Sequence, residues 1–93
     1  MGKLRVLIVD DSKISRVMLA DSLKGTDFEV CGMAADAVEA LKLYAELHPD
    51  LVTMDMNLPD ANGLECSRRI LAVDPEAKIL MISAMKDLNL ITQ

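Results

Sequence analysis

The stretch LVTMDMNLPDANG, residues 51–63, joins an apolar run to a single carboxylate and a turn-rich loop. Asp55 follows the run LVTM (51–54) directly, and Pro59 and Gly63 in the loop behind it are typical of turns. A carboxylate at the end of a buried segment costs free energy unless a partner stabilises its charge. The rest of the sequence should therefore supply partners for Asp55.

The chain has the composition of one globular domain, with 52% hydrophobic and 27% charged residues, and we expect residues 1–93 to form that single domain. Its formal net charge of −5 disfavours nucleic acid and anionic membranes as partners. No stretch of about 18 apolar residues is present, and the N-terminus does not resemble a signal peptide. Cys31 and Cys66 lack metal-binding spacing, so we expect buried thiols in a reducing compartment. These features predict a soluble cytoplasmic protein.

Four short apolar runs predict β-strands at residues 4–9, 28–33, 51–54 and 78–83. The runs are nearly continuous rather than alternating, which is typical of strands buried on both faces of a parallel sheet. Helical segments separate the runs, so strand and helix alternate as βαβαβαβα. This order predicts an open α/β sheet with right-handed crossovers.

Three helices are predicted between the strands, and a fourth at residues 86–93. The first follows the N-cap Ser12, is apolar on nearly every side and ends at Gly25. The second begins with a capping box at residues 36–39, and the third begins near Asn62, with residues 68 and 69 facing solvent. The residues predicted to face inward from the second and third helices are Ala37, Ala40, Leu41, Tyr44, Leu64, Ser67, Ile70 and Leu71.

Polar side chains stand where the predicted strands end. Asp10 and Asp11 follow the first strand and Asp55 the third, while the fourth ends in Ser83 and Ala84. If strands one, three and four are neighbours, these groups meet at the carboxyl edge of the sheet. Two like charges about 4 Å apart cost about 4 kcal/mol at an effective dielectric constant near 20, so a pKa must rise or a cation must bind. With oxygen ligands alone, Mg²⁺ is the expected cation, and Asp55 beside it becomes a candidate phosphoacceptor.

Three motifs resemble those of the receiver domain of two-component response regulators, particularly the chemotaxis type. They are VLIVDDS at residues 6–12, VTMDMNLPDANGLE at 52–65 and MISAM at 81–85. The resemblance runs from about Lys3 to the last residue. It implies a flavodoxin-like, doubly wound sheet with strand order 2-1-3-4.

The resemblance also implies a role for each site residue. Asp10 and Asp11 hold Mg²⁺, Asp11 most directly, and Asp55 contacts the metal and takes a phosphoryl group from a histidine kinase. Asn57 offers its backbone carbonyl to the metal. The domain then signals to a downstream effector through altered protein contacts, and it is not an enzyme beyond self-catalysed phosphorylation and dephosphorylation.

The remaining implied roles concern the switch and the loop. Ser83 hydrogen-bonds a phosphoryl oxygen and, with Ala84, forms the switch that shifts on activation. Pro59 and Gly63 match the loop after the acceptor strand, where Gly63 is expected to supply backbone freedom.

Only ten residues follow Ser83, so the sequence predicts a receiver truncated before the family's fifth strand and fifth helix, without that strand's lysine. Such a chain would leave strand four as an unprotected edge and one side of the first helix bare. We therefore expect a homo-oligomer built from strand four, the fourth helix and the exposed side of the first helix.

Two other functions remain open from the residues alone. A degenerate receiver would act as a phosphate-independent interaction or dimerisation module. A phosphatase of the haloacid dehalogenase type would also use a strand-end aspartate and Mg²⁺, but that family requires Asp-x-Asp, and Asn57 stands at the second acidic position.

Overall fold

The computed structural model describes residues 2–82, which form a parallel sheet flanked by helices. The chain order is β1 (Leu4–Val9), α1 (Lys13–Ser22), β2 (Phe28–Ala34), α2 (Ala37–Leu47), β3 (Leu51–Asp55), α3 (Gly63–Val73) and β4 (Ile79–Ile82). The strands lie in the order β2-β1-β3-β4, and each neighbouring pair is parallel. The predicted open α/β sheet and its strand order are therefore confirmed, whereas the predicted fourth helix lies outside the described residues.

The strand order explains on which face of the sheet each helix lies. The chain steps from β1 to β2 in one direction and then back across the sheet to β3 and β4. Right-handed crossovers then put α1 on one face and α2 and α3 on the other. The core between the sheet, α2 and α3 consists of Leu7, Val9, Ala34, Ala37, Ala40, Tyr44, Val52, Met54, Cys66 and Ile70.

Burial differs between the central and outer strands of the described sheet. Residues 6–9 of β1 and 52–54 of β3 are buried, which confirms the prediction of strands covered on both faces. The same prediction is wrong for β2 and β4, where Met33 is exposed and Leu80 is 53% exposed. In this part of the chain each of these two strands has a neighbour on one side alone, so less of its surface is covered.

The two cysteines differ in their surroundings, although both are free thiols. Cys66 is fully buried in α3, as expected from the sequence. Cys31 is half-buried, so the prediction of a buried thiol is wrong here. The register of β2 also shifts at this point: Val6 of β1 pairs with Val30 and Leu7 pairs with Gly32. Cys31 is the extra residue of this β-bulge and is left without a register partner on β1.

All three predicted helix starts are confirmed. The side chains of Ser12, Asp36 and Asn62 each accept a hydrogen bond from the backbone N–H three residues further on, as N-caps do. The first helix ends at Ser22 rather than at Gly25, since residues 23–26 form a turn in which Gly25 has φ 77°. Among residues 2–82, no helix has the length and apolar character needed to cross a bilayer.

The inward face of α3 differs in part from the predicted one. Ser67 and Ile70 are buried as expected, but Leu64 and Leu71 are exposed, and Gly63 and Cys66 take the remaining buried positions. The buried set is spaced i, i+3, i+4, i+7, a single stripe of a 3.6-residue helix. The two leucines lie one residue further around the helix, outside that stripe.

The predicted inward face of α2 is confirmed, with three of its four residues buried and Leu41 partly buried against them. A hydrogen bond ties α2 to the end of α3: the Tyr44 hydroxyl donates to Asp74 Oδ2 over 2.6 Å. Burial and this hydrogen bond raise the pKa of Tyr44 to about 12. The bond fixes the two helices on their face of the sheet.

Candidate functional site

The predicted carboxylate cluster forms at the carboxyl edge of the sheet. Val9 of β1 pairs with Met54 of β3, so the residues that follow them emerge side by side. Asp10, Asp11 and Asp55 each place a carboxylate oxygen within 4.8 Å of the other two. Asp11 is exposed, whereas Asp10 and Asp55 are half-buried. The neighbours of Asp55 at this edge are therefore two further carboxylates, which repel its charge instead of stabilising it.

The surroundings of Asp55 disfavour its charge. Burial raises the pKa of Asp55 above its ordinary value of 3.8, and the negative charges of Asp10 and Asp11 raise it further. The backbone N–H of Asn57 donates to Asp55 Oδ1 over 3.3 Å, which partly offsets the rise in this pKa. Within residues 2–82, no cation is among the groups that shift the pKa of Asp55, and a bound divalent cation would offset the unfavourable negative charge.

The cluster fits Mg²⁺ in ligand type and charge. All three donors are carboxylate oxygens, which this hard cation prefers, and a divalent cation would offset the crowding of these acidic groups within 4.8 Å. The residues present are therefore suited to holding the ion.

The loop after β1 holds Asp10 in place through its own backbone. The Asp10 carboxylate accepts a hydrogen bond from the Ser12 N–H over 2.8 Å, which forms a tight turn into α1. Arg16, one helical turn further on, donates from its guanidinium to the Asp10 carbonyl oxygen over 2.7 Å. The sequence reasoning missed Arg16, because an arginine in the first turns of a helix has no distinctive spacing from Asp10.

The loop after β3 closes on itself. The Gly63 N–H donates to the Met56 carbonyl over 2.7 Å, and the Leu58 N–H donates to the Ala61 carbonyl over 3.2 Å. Asn57 and Asn62 form an isolated antiparallel bridge between these two bonds. Residues 56–63 are therefore a closed loop of defined shape rather than a flexible connection.

Gly63 is required in this loop for a different reason from the one expected. Its φ is not positive, so backbone freedom is not its role. A Cβ at this position would lie 2.9 Å from the carbonyl carbon of Asp55 and 3.0 Å from Met56 Cα, and closer still to the Asp55 carbonyl oxygen. The absence of a side chain lets the start of α3 approach the backbone of the site.

The remaining predicted site residues lie either in the loop after β3 or outside the described residues. Asn57 lies in the closed loop with its N–H on Asp55, and Pro59 lies exposed at the same loop. Ser83 and Ala84 lie outside the described residues. Asp60, which the sequence analysis did not single out, binds the N-terminus of α2 through its carboxylate.

A four-stranded parallel sheet with a carboxylate cluster at its carboxyl edge defines the class of flavodoxin-like receiver folds. The family model of the response regulator receiver domain matches residues 6–93, and the chain belongs to this family.

Two curated relatives are similar over most of the chain. The chemotaxis protein CheY of Thermotoga maritima is 48% identical over 85 residues, which are 91% of this chain and 70% of that protein. Protein CcdB of Bacillus subtilis is 44% identical over 89 residues, which are 96% of this chain and 74% of that protein.

Solved structures have the same fold. The CheX-CheY-BeF3-Mg²⁺ complex from Borrelia burgdorferi matches with a TM-score of 0.86 and 32% identity, over 98% of this chain and 69% of that chain. The response regulator domain of Thermotoga maritima CheB matches with a TM-score of 0.80 and 38% identity, over 89% of this chain and 62% of that one. This chain thus spans under two thirds of the length of the second of these structures.

Proposed function

We propose that residues 1–93 form one receiver domain that accepts a phosphoryl group on Asp55 from a histidine kinase in a Mg²⁺-dependent reaction. The observation that carries this proposal is the group of three carboxylate oxygens within 4.8 Å of one another at the carboxyl edge of the sheet. Membership of the receiver family and the similarity to chemotaxis proteins support it. The same similarity supports a signalling role in chemotaxis.

In the proposed reaction, an oxygen of the Asp55 carboxylate attacks the phosphorus atom of the donor. The new P–O bond forms as the bond to the donor breaks, and the donor leaves with that electron pair. Bound Mg²⁺ would neutralise negative charge on both reactants. Asp10, Asp11 and Asp55 would hold the ion together with the backbone carbonyl of Asn57. Arg16 and Ser12 keep Asp10 directed at the site through the contacts described above.

Signalling would follow from the new charge on Asp55. We infer that Ser83 and Ala84 respond to the phosphoryl group and alter the surface presented to a downstream effector. The domain would act in the cytoplasm as a phosphoacceptor, with no catalytic activity other than its own phosphorylation and dephosphorylation. Its net charge of −5 makes proteins better partners than nucleic acid or membranes.

Incubation with acetyl phosphate tests the proposed function. We expect mass spectrometry to find one phosphoryl group, on Asp55, in the presence of Mg²⁺ and none in EDTA. Asp55→Asn should abolish the label. Asp27→Asn, which removes an exposed carboxylate that is not part of the cluster, should keep it.

Each alternative predicts a different result in the same experiment. A wild-type chain that remains unlabelled with Mg²⁺ would favour the phosphate-independent interaction module. With a phosphate monoester such as p-nitrophenyl phosphate in place of acetyl phosphate, many turnovers would favour a phosphatase. A label that persists in Asp55→Asn would show that another residue is the acceptor.

We also propose that the 93-residue chain associates with a second copy of itself through α1 and β4. Ile14 and Met18 on α1 are 72% and 65% exposed, and Leu80 on β4 is 53% exposed. Large exposed apolar surface is uncommon on soluble monomers, so burial of these side chains against a second copy lowers the free energy. The predicted contribution of the fourth helix lies outside the described residues.

Light scattering across a concentration series tests this association. We expect a dimer or larger species at tens of micromolar, and we expect Met18→Glu to shift it to monomer. Val38→Glu is the matched control, since Val38 is equally exposed but lies on α2, on the other face of the sheet. A wild-type monomer at these concentrations would contradict the proposal.

A further inference from the structure

Asp60 connects the loop after the acceptor strand to a helix that lies far away in the sequence. Its Oδ1 accepts a hydrogen bond from the Ala37 N–H over 2.8 Å, and its Oδ2 accepts one from the Val38 N–H over 3.1 Å. Both carboxylate oxygens are therefore bound to the first turn of α2. Two contacts from one planar group fix its orientation as well as its position.

The two hydrogen bonds that Asp60 accepts add to a cap that α2 already has from residues next to it in the sequence. The Asp36 carboxylate accepts the Glu39 N–H over 2.8 Å, and Glu39 Oε1 accepts the N–H of Ala35, the residue before the N-cap, over 2.8 Å, so both side chains help to cap α2 in an arrangement close to a capping box. Asp60 accepts hydrogen bonds from the Ala37 and Val38 N–H groups, which the Asp36 and Glu39 side chains leave free. These backbone hydrogen bonds at the positive end of the helix lower the pKa of Asp60, which keeps it ionised.

Asp60 also occupies a special place in its own loop. It lies between Leu58 and Ala61, which are joined by a backbone hydrogen bond, and so stands at the tip of the closed loop of residues 56–63. Gly63 holds the base of this loop against Met56, and Asp60 holds its tip against α2. The loop is thereby fixed at both ends, with Asn57 between them.

We propose that Asp60 is a positioning residue, whose two hydrogen bonds to α2 hold the loop that carries Asn57 in the orientation required beside the carboxylate cluster. This inference rests on the proposed function, because the backbone carbonyl of Asn57 is there a ligand of Mg²⁺. Without the bonds to α2, the loop tip is free to move, and the cluster loses a preorganised ligand.

The test compares two variants that each remove a carboxylate from the N-terminus of α2. Asp60→Ala frees the loop tip, whereas Asp36→Ala removes the cap of α2 without touching the loop. We expect Asp60→Ala to weaken Mg²⁺ binding, measured by calorimetry, about tenfold, at the low end of losses for outer-shell partners. Asp36→Ala should leave the affinity within about twofold. Asp60→Asn retains one acceptor oxygen and should lie between wild type and Asp60→Ala.

Amide hydrogen exchange without metal gives a second, independent result. We expect the amides of Leu58 and Gly63 to exchange faster in Asp60→Ala than in Asp36→Ala, because their hydrogen bonds close the loop. Equal Mg²⁺ affinity and equal exchange in the two variants would overturn the inference and make Asp60 a second helix cap. A wild-type chain that does not bind Mg²⁺ would overturn the proposed function instead, and exchange alone would then decide whether Asp60 positions the loop.

Discussion

Asp55→Asn should unfold at a higher temperature than the wild-type chain when both are measured in EDTA at neutral pH. The substitution removes one of three negative charges whose oxygens lie within 4.8 Å of one another. Asn keeps the oxygen that accepts the Asn57 N–H, so no hydrogen bond is lost. We expect a gain of about 1 to 2 kcal/mol in the free energy of unfolding, or about 4 to 16 °C in Tm. The Coulomb repulsion of a fully buried pair of carboxylates would be larger than this gain. Asp11 is exposed, so solvent and salt screen its repulsion of Asp55.

The pH dependence of this difference follows from the raised pKa of Asp55. The folded protein holds the Asp55 proton more tightly than the unfolded chain, whose pKa is near the ordinary 3.8. The free energy of unfolding therefore falls as pH rises through the window just above 3.8, where the unfolded state loses the proton first. The Asp55→Asn variant has no carboxyl group at this position to ionise, so its free energy of unfolding does not fall in this way. The two proteins should therefore have similar stability in acid, and the variant should become the more stable one as the pH rises.

Mg²⁺ should stabilise the wild-type chain more than it stabilises Asp55→Asn. At ten times its dissociation constant, a ligand that binds the folded state alone adds about 1.4 kcal/mol to the free energy of unfolding. We expect this gain in wild type and much less of it in Asp55→Asn. Mg²⁺ should therefore reduce or reverse the stability advantage that the variant has in EDTA.

Asp27→Asn is the control for the metal and pH measurements, because it changes the net charge equally but lies outside the cluster. It should match wild type in EDTA and respond fully to Mg²⁺. An Asp55→Asn variant with the Tm of wild type in EDTA would show that the carboxylates do not repel one another as inferred. A wild-type Tm that Mg²⁺ leaves unchanged would show that the cluster does not bind the metal.

Local features of the sequence were sufficient to predict most of the fold. Ser12, Asp36 and Asn62 each precede a helical stretch, and an N-cap needs nothing beyond the next three residues. The apolar runs that predict β1 and β3 are continuous because these strands are covered on both faces. Once strand order placed β1 beside β3, the meeting of Asp10 and Asp55 followed from where the runs end.

The features that sequence reasoning missed depend on contacts between distant segments. Leu64 and Leu71 were predicted to face inward by their apolar character, but the side of α3 that meets the sheet is set by Gly63 and Cys66. The function of Asp60 depends on α2, whose N–H groups lie 22 and 23 residues earlier in the chain. No local pattern distinguishes such a carboxylate from any other turn aspartate.

Gly63→Ala should cause a large loss of stability. The added methyl group would overlap the Asp55 carbonyl oxygen and lie 2.9 Å from its carbon, and these are backbone atoms that cannot rotate away. Overpacking usually costs about 1 to 3 kcal/mol, and a rigid neighbour puts this site at about 3 kcal/mol, a fall of about 12 °C or more in Tm. Thermal unfolding measures the change directly. Because relief of the overlap must move Asp55 or the loop, the variant should also respond less to Mg²⁺.

Gly25→Ala separates this overlap from the conformational cost of replacing a glycine. Gly25 has φ 77°, which disfavours alanine by about 1 to 2 kcal/mol, but no atom lies within 4 Å of the added Cβ. Gly2→Ala, which has neither a positive φ nor a neighbour within 4 Å, should leave Tm unchanged. If Gly63→Ala costs no more than Gly25→Ala, the backbone at residues 55 and 56 yields easily, and the close approach of α3 does not hold the acceptor strand in place. A larger cost at Gly63, with a weakened Mg²⁺ response there alone, ties the start of α3 to the geometry of the carboxylate site.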